Sequence, residues 1–235
     1  SKHFKLEEFT KSMTATRKGI DNTPGAGDIK NLENVCYEIL EPVRAKFEKP
    51  ITVTTTQYQY DGQGIVEPAY RHVFIVPADG GSARQLTQGN FNHYGSLAWS
   101  LDSDHIFFSA YRSDDWELVS GEADIYSVSI NTNKIKQITN QSGAERSPMI
   151  SPNGQLIAFT KKERRPLAYS PDRIGIMSLD GKNMRLLSEE LDGDANNVQW
   201  ASDSRSLYYT YDERGIRKIG QVTVKGKLKE IIEKE

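Results

Sequence analysis

Trp99-Ser-Leu-Asp-Ser-Asp-His-Ile-Phe-Phe108 comes back twice in the chain, as Ile150-Ser-Pro-Asn-Gly-Gln-Leu-Ile-Ala-Phe159 and as Trp200-Ala-Ser-Asp-Ser-Arg-Ser-Leu-Tyr-Tyr209. The copies begin at residues 99, 150 and 200, a period of about fifty. A repeat of this length marks stacked units, none of which can bury its apolar face alone. Inside each copy an apolar run enters a turn rich in Asp, Asn, Ser and Gly and leaves it as a second apolar run. Those residues favour tight reversals, so each copy reads as a β-hairpin.

Working outward, each unit holds four strand signals of short β-branched and aromatic runs. Strand A covers residues 96–99, 147–150 and 197–200. Strand B covers 105–108, 156–159 and 207–210, strand C 125–128, 174–177 and 219–222, and strand D 136–139, 185–188 and 229–232. Four antiparallel strands per unit are the layout of a β-propeller blade. An incomplete unit comes first: residues 73–76 and 84–87 match strands C and D, and residues 52–60 alternate as its strand B. The predicted fold is mainly β, a partial propeller of three full four-stranded blades plus most of a fourth over residues 55–235. Closed propellers have about four to eight blades, so this count predicts open flanks. Those flanks favour self-association unless further blades cover them.

With A and C running one way, and B and D the other, the B–C and D–A loops share one face. The B–C loops are the long ones: residues 110–123, 161–173 and 211–218. Binding residues concentrate on loops held by a rigid scaffold. The candidate binding face is therefore Tyr111, Arg112, Asp115 and Trp116 from the first loop, Arg164 and Arg165 from the second, and Arg214 from the third.

Residues 1–54 form a different module. Ile29, Leu32, Val35, Cys36, Ile39, Leu40, Val43 and Phe47 recur at steps of three and four, which predicts an amphipathic helix over about residues 28–47 with Asp28 as its N-cap. Pro42 lies inside it and would kink or end it. Cys36, the one cysteine, falls on the apolar face and reads as a buried thiol. The expected arrangement is a small α-helical module followed by the partial propeller.

Composition narrows the function. A net charge of −2 carries no nucleic-acid footprint. No apolar run reaches the length of a membrane span, and no secretory signal is visible, so the expected location is the cytoplasm, or the periplasm or outside if a leader was removed. No Gly-x-Ser-x-Gly elbow, Walker loop or dinucleotide fingerprint occurs. The four histidines, His3, His72, His93 and His105, lack zinc-ligand spacing. Asp192-Gly-Asp194 lacks the remaining oxygens of a calcium loop. No catalytic residue, metal or cofactor is expected.

Two resemblances add to this reading. Tyr58-Gln-Tyr-Asp-Gly-Gln-Gly64, Glu67-Pro-Ala-Tyr-Arg-His-Val-Phe74, Asp79-Gly-Gly81 with Arg84-Gln-Leu-Thr87, Tyr111-Arg-Ser-Asp-Asp-Trp-Glu117 and the Ser151-Pro-Asn-Gly154 turn together resemble the propeller domain of the prolyl oligopeptidase family, over about three quarters of the chain. There the propeller caps an α/β-hydrolase domain carrying the catalytic triad. The resemblance implies a non-catalytic fragment that gates or docks peptide substrates for a hydrolase domain missing here. His3-Phe-Lys-Leu-Glu-Glu-Phe9, Ser12-Met-Thr-Ala-Thr16, Gly19-Ile-Asp-Asn22, Asn31-Leu32, Leu40-Glu-Pro-Val-Arg44 and Pro50-Ile-Thr-Val-Thr54 resemble the start of zinc D-Ala-D-Ala carboxypeptidase-like peptidases, whose zinc ligands would follow but do not. The alternatives are a stand-alone TolB-like scaffold binding a protein or peptide and a residual zinc cell-wall peptidase.

Overall fold

The computed structural model describes residues 53–56, 58–66, 69–165 and 169–232. The chain divides into two compact units, Ser1–Thr54 and Thr55–Glu235, and the second holds the repeats. The helix expected over residues 28–47, with Asp28 and Cys36, lies outside the described residues.

Each repeat folds as one antiparallel sheet. The first blade is β5 (His93–Trp99), β6 (His105–Ala110), β7 (Asp124–Ser129) and β8 (Ile135–Gln137). The second is β9 (Ala144–Ile150), β10 (Leu156–Lys162), β11 (Arg173–Ser178) and β12 (Arg185–Leu186). The third is β13 (Asn196–Trp200), β14 (Ser206–Glu213), β15 (Ile216–Thr223) and β16 (Leu228–Ile232). Ahead of them β3 (Phe74–Ile75) pairs with β4 (Arg84–Gln85) as strands C and D of the incomplete unit. The strand B expected over residues 52–60 is replaced by a separate hairpin, β1 (Gln59–Tyr60) with β2 (Gly64–Ile65). Asp61-Gly-Gln-Gly64 turns the chain back at once, with Gly62 at φ +77 and Gly64 at φ +71. The fold is thus mainly β, a partial propeller of three four-stranded sheets and a two-stranded remnant.

The apolar layers lie between blades. On β6, Ile106, Phe108 and Ala110 pack with Val73 and Leu86 of the incomplete unit, while Phe107 packs with Ile157, Phe159 and Met177 of the second blade. On β10, Ile157 and Phe159 face back and Ala158 joins Leu207 and Tyr209 of the third blade. Strand alternation sends successive side chains to opposite neighbours, so central strands are apolar on both faces. Truncating fully buried Phe108 or Phe159 to alanine would cost about 3–5 kcal/mol.

The repeat also recurs in its polar bonds. In the A–B turns, Ser100 and Ser151 accept from the amides of His105 and Leu156 at 2.9 Å. The side chains of Asp102, Asn153 and Asp203 accept from the amide two residues on. Ser103, Gly154 and Ser204 take the positive φ that closes each turn. At the end of strand D, the buried hydroxyls of Thr87, Thr139 and Ser188 each accept from a strand-C amide 14 residues earlier, those of Val73, Ile125 and Ile174. These hydroxyls tie strand D back to strand C at the end that carries the B–C and D–A loops.

Candidate functional site

The B–C loop of the first blade leaves β6 at Ala110 and folds into a turn, with Trp116 N donating to Ser113 O at 3.1 Å and Leu118 N to Asp115 O at 2.8 Å. Tyr111 Oη donates to Asp115 Oδ1 at 3.1 Å. A hydrogen bond from Ser113, helped by Tyr111, holds the Asp115 carboxyl below its ordinary pKa, so it is ionised. The half-buried Trp116 ring meets Tyr70 edge-on at 5.8 Å. Glu117 Oε2 accepts from Thr56 N at 3.0 Å, which ties the loop to the segment ahead of the hairpin.

Arg112 turns inward. Its Nη1 donates to His93 Nε2 at 2.9 Å and its Nη2 to Gln88 O at 3.1 Å, with the guanidinium 4.7 Å from the centre of the Phe91 ring. Nδ1 of buried His93 donates to Arg71 O at 2.5 Å, which leaves Nε2 as the acceptor for Arg112. Burial, with the charge of Arg112, lowers the His93 pKa to about 4, so the ring is neutral near pH 7. Arg112 therefore acts first as a brace between the B–C loop and the D–A loop.

Between those loops lies a cleft of ≈ 430 Å³ lined by Gly89, Asn90, Phe91, Asp114 and Trp116. Gly89 has φ +99, and a Cβ there would sit 3.1 Å from the Phe91 ring, so glycine is needed for the ring to take its place. Of the cleft residues only Trp116 is in the sequence-predicted set. The B–C loops stood out by length, but Phe91 sits in the shorter D–A loop; the signal for it is an aromatic residue within the polar stretch Gln88-Gly-Asn-Phe-Asn92.

The second B–C loop reaches the first through Arg164, whose Nε lies 3.5 Å from Glu122 Oε1. Glu122 Oε2 accepts from Gly143 N at 2.9 Å, next to a parallel bridge between Ala123 and Ala144 that joins the two blades. Beneath them Lys161 Nζ pairs with the fully buried Glu145 and donates to Gln141 Oε1 at 3.2 Å and Ser142 O at 3.3 Å. Burial raises the Glu145 pKa against the pull of Lys161. Arg165 instead pairs with Glu163 of its own loop at 2.7 Å. The third loop expected over residues 211–218 is not a loop: β14 runs to Glu213, and Arg214 and Gly215, at φ +51 and +81, make a two-residue hairpin turn. Arg214 sits exposed at that tip and does not line the cleft. Asp194, read as part of an incomplete calcium loop, accepts from Asp172 N at 2.7 Å. Among the described residues no group of His, Cys, Asp or Glu is placed to hold a metal, and no helix is long and apolar enough to cross a membrane.

The family described as the TolB β-propeller domain matches residues 60–235. A Tol-Pal system protein TolB of Francisella tularensis is 27% identical over 156 residues, 66% of this chain and 33% of that protein. Dipeptidyl-peptidase 5 of Porphyromonas gingivalis is 23% identical over 138 residues, 57% of this chain and 20% of that protein. The chain thus spans a third or less of the length of these two curated relatives. The structure of a putative TolB from Agrobacterium tumefaciens superposes with a TM-score of 0.53 at 16% identity, covering 69% of this chain and 56% of that one, a likeness of fold.

The family match corrects two expectations. The prolyl oligopeptidase and zinc D-Ala-D-Ala carboxypeptidase resemblances are not the family of this chain. Two of the motifs that carried the first, Asp79-Gly-Gly81 and Ser151-Pro-Asn-Gly154, are hairpin reversals with glycines at positive φ. Such reversals report the blade rather than a hydrolase partner. The expectation of a cytoplasmic location is overturned as well: the chain's family is the TolB β-propeller domain, and a relative that it matches is named for the Tol-Pal system.

Proposed function

The chain belongs to the TolB β-propeller domain family, and on that premise we propose that it is a scaffold that holds a protein partner on the face of its B–C and D–A loops. The observation that carries this is the cleft of Phe91, Asp114 and Trp116, which two loops form and the Arg112–His93 brace holds open. The reading that the blades gate peptides for a hydrolase domain gives way, because it rested on the prolyl oligopeptidase resemblance. Residues 1–54 act as a separate module ahead of the propeller. The Francisella relative is named for the Tol-Pal system, so Pal is the partner to try first, in a periplasmic setting.

Fluorescence polarisation of labelled Pal titrated with the whole chain tests this. Saturable binding is expected, weakened at least about tenfold by Trp116→Ala, as for an aromatic anchor in an interface. Leu101→Ala, in the cleft of the A–B and C–D turns at the opposite end of the blades, should leave it unchanged. If Pal does not saturate, Pal is not the partner; if the two variants weaken binding alike, the cleft is not where a partner is held.

A further inference from the structure

The loop of residues 111–123 carries one arginine against four carboxylates, Asp114, Asp115, Glu117 and Glu122. Three of the four are committed: Asp115 to Tyr111, Glu117 to Thr56 and Glu122 to Gly143 and Arg164. Asp114, exposed on the cleft wall, makes no hydrogen bond or ion pair with any described residue. Arg112 is likewise committed, to His93, to the Gln88 carbonyl and to the Phe91 ring. The cleft therefore offers two aromatic walls, an amide from Asn90 and the unpaired carboxylate of Asp114, with the Arg112 guanidinium, which makes no ion pair with a described carboxylate, against the Phe91 ring.

We propose that this cleft is a specificity pocket for a cationic side chain, a lysine or arginine presented by the protein partner, with Asp114 as its counter-ion and Phe91 and Trp116 flanking its alkyl stem. Aromatic faces attract cations through the ring quadrupole, and long cationic side chains lay their methylenes along apolar surface. Arg112 over Phe91 is the molecule's own instance of that contact. An acidic side chain would meet Asp114 directly, and an uncharged one would leave the carboxylate without a partner. The proposal rests on the partner-binding reading and names the chemistry of its central contact.

The test uses the whole chain and no partner protein. N-acetyl-lysine methylamide is titrated while the indole N–H signal of Trp116 is followed by NMR, with the norleucine and glutamate analogues as the uncharged and anionic probes. The lysine probe should bind about fivefold more tightly than the norleucine probe, which shares its alkyl stem, the scale of a partly exposed ion pair. Asp114→Asn should remove the difference while the folded spectrum is retained. Equal responses to lysine and norleucine, preference for glutamate, or a lysine preference that survives in Asp114→Asn would each overturn the proposal. Because Pal is absent from the assay, a lysine-selective cleft together with a failed Pal titration would sink only the choice of partner.

Discussion

At His93 both ring nitrogens are in use: Nδ1 donates to the Arg71 carbonyl and Nε2 accepts from Arg112. A second proton would set Nε2–H against a guanidinium, with His72 at 5.2 Å adding to the repulsion and Phe108 at 5.0 Å offering no counter-charge. The folded pKa is about 4 against an ordinary 6.5. Between those values the unfolded chain binds more protons, so stability rises with pH through this window, is fully present above about pH 6.5 and is lost as pH falls towards 4. The loss is at most about 3 kcal/mol. Urea midpoints at pH 7.5 and 4.5 should separate for the native chain and draw together for His93→Gln; parallel shifts would refute the assignment. Tyr111, Asp115 and Trp116 could be picked out in the sequence because they crowd one long polar loop. His93 could not, since its role depends on Arg112 reaching it from the B–C loop, a contact with no periodicity to betray it, and Phe91 carried only the weak signal of one aromatic in a short polar loop.

Across the strands, large rings are matched to missing side chains. Phe159 lies opposite Gly175 and Tyr209 opposite Gly220, and a Cβ at either glycine would come within 2.4 Å and 2.5 Å of the ring. Neither glycine has a positive φ, so the requirement is space rather than backbone strain. The first blade solves the same problem differently, stacking Phe108 on Tyr126 at 5.8 Å. Gly175→Ala should therefore cost about 1–3 kcal/mol, as overpacking does. Adding Phe159→Leu should return part of that loss, and the coupling would appear in a double-mutant cycle of urea unfolding; strict additivity would exclude the ring as the cause. The strands were legible from period-2 apolar runs between Asp- and Gly-rich turns, and all four per blade formed in the three full repeats. The Arg214–Gly215 turn was read as a long loop because arginine is rare at positive φ and hides the two-residue reversal that Gly215 alone signals.

For the whole propeller, the forward positions of each blade predict what happens at the last one. Phe107 and Ile125 of the first blade and Ala158 and Ile174 of the second are buried by the next blade. The corresponding Tyr208 and Ile219 of the third are 40% and 37% exposed. The 235-residue chain should associate through this flank at micromolar concentration. Sedimentation velocity should show a species heavier than the monomer that Tyr208→Lys with Ile219→Lys disperses; a monomer throughout would count against it. The number of blades was readable because each repeat must cover its neighbour. The family was not, because two of the stretches that suggested a peptidase, Asp79–Gly81 and Ser151–Gly154, are turns that any such blade needs.

Because the apolar layers are seams between blades, each blade being closed by its own short turns, the molecule has planes of weakness set at the repeat length. Held by its two ends and stretched, it should give way one blade at a time, each blade unravelling once its seam has parted and releasing about fifty residues, or roughly 170 Å of extended chain. The force trace would be a sawtooth whose spacing measures the repeat first seen at Trp99, Ile150 and Trp200.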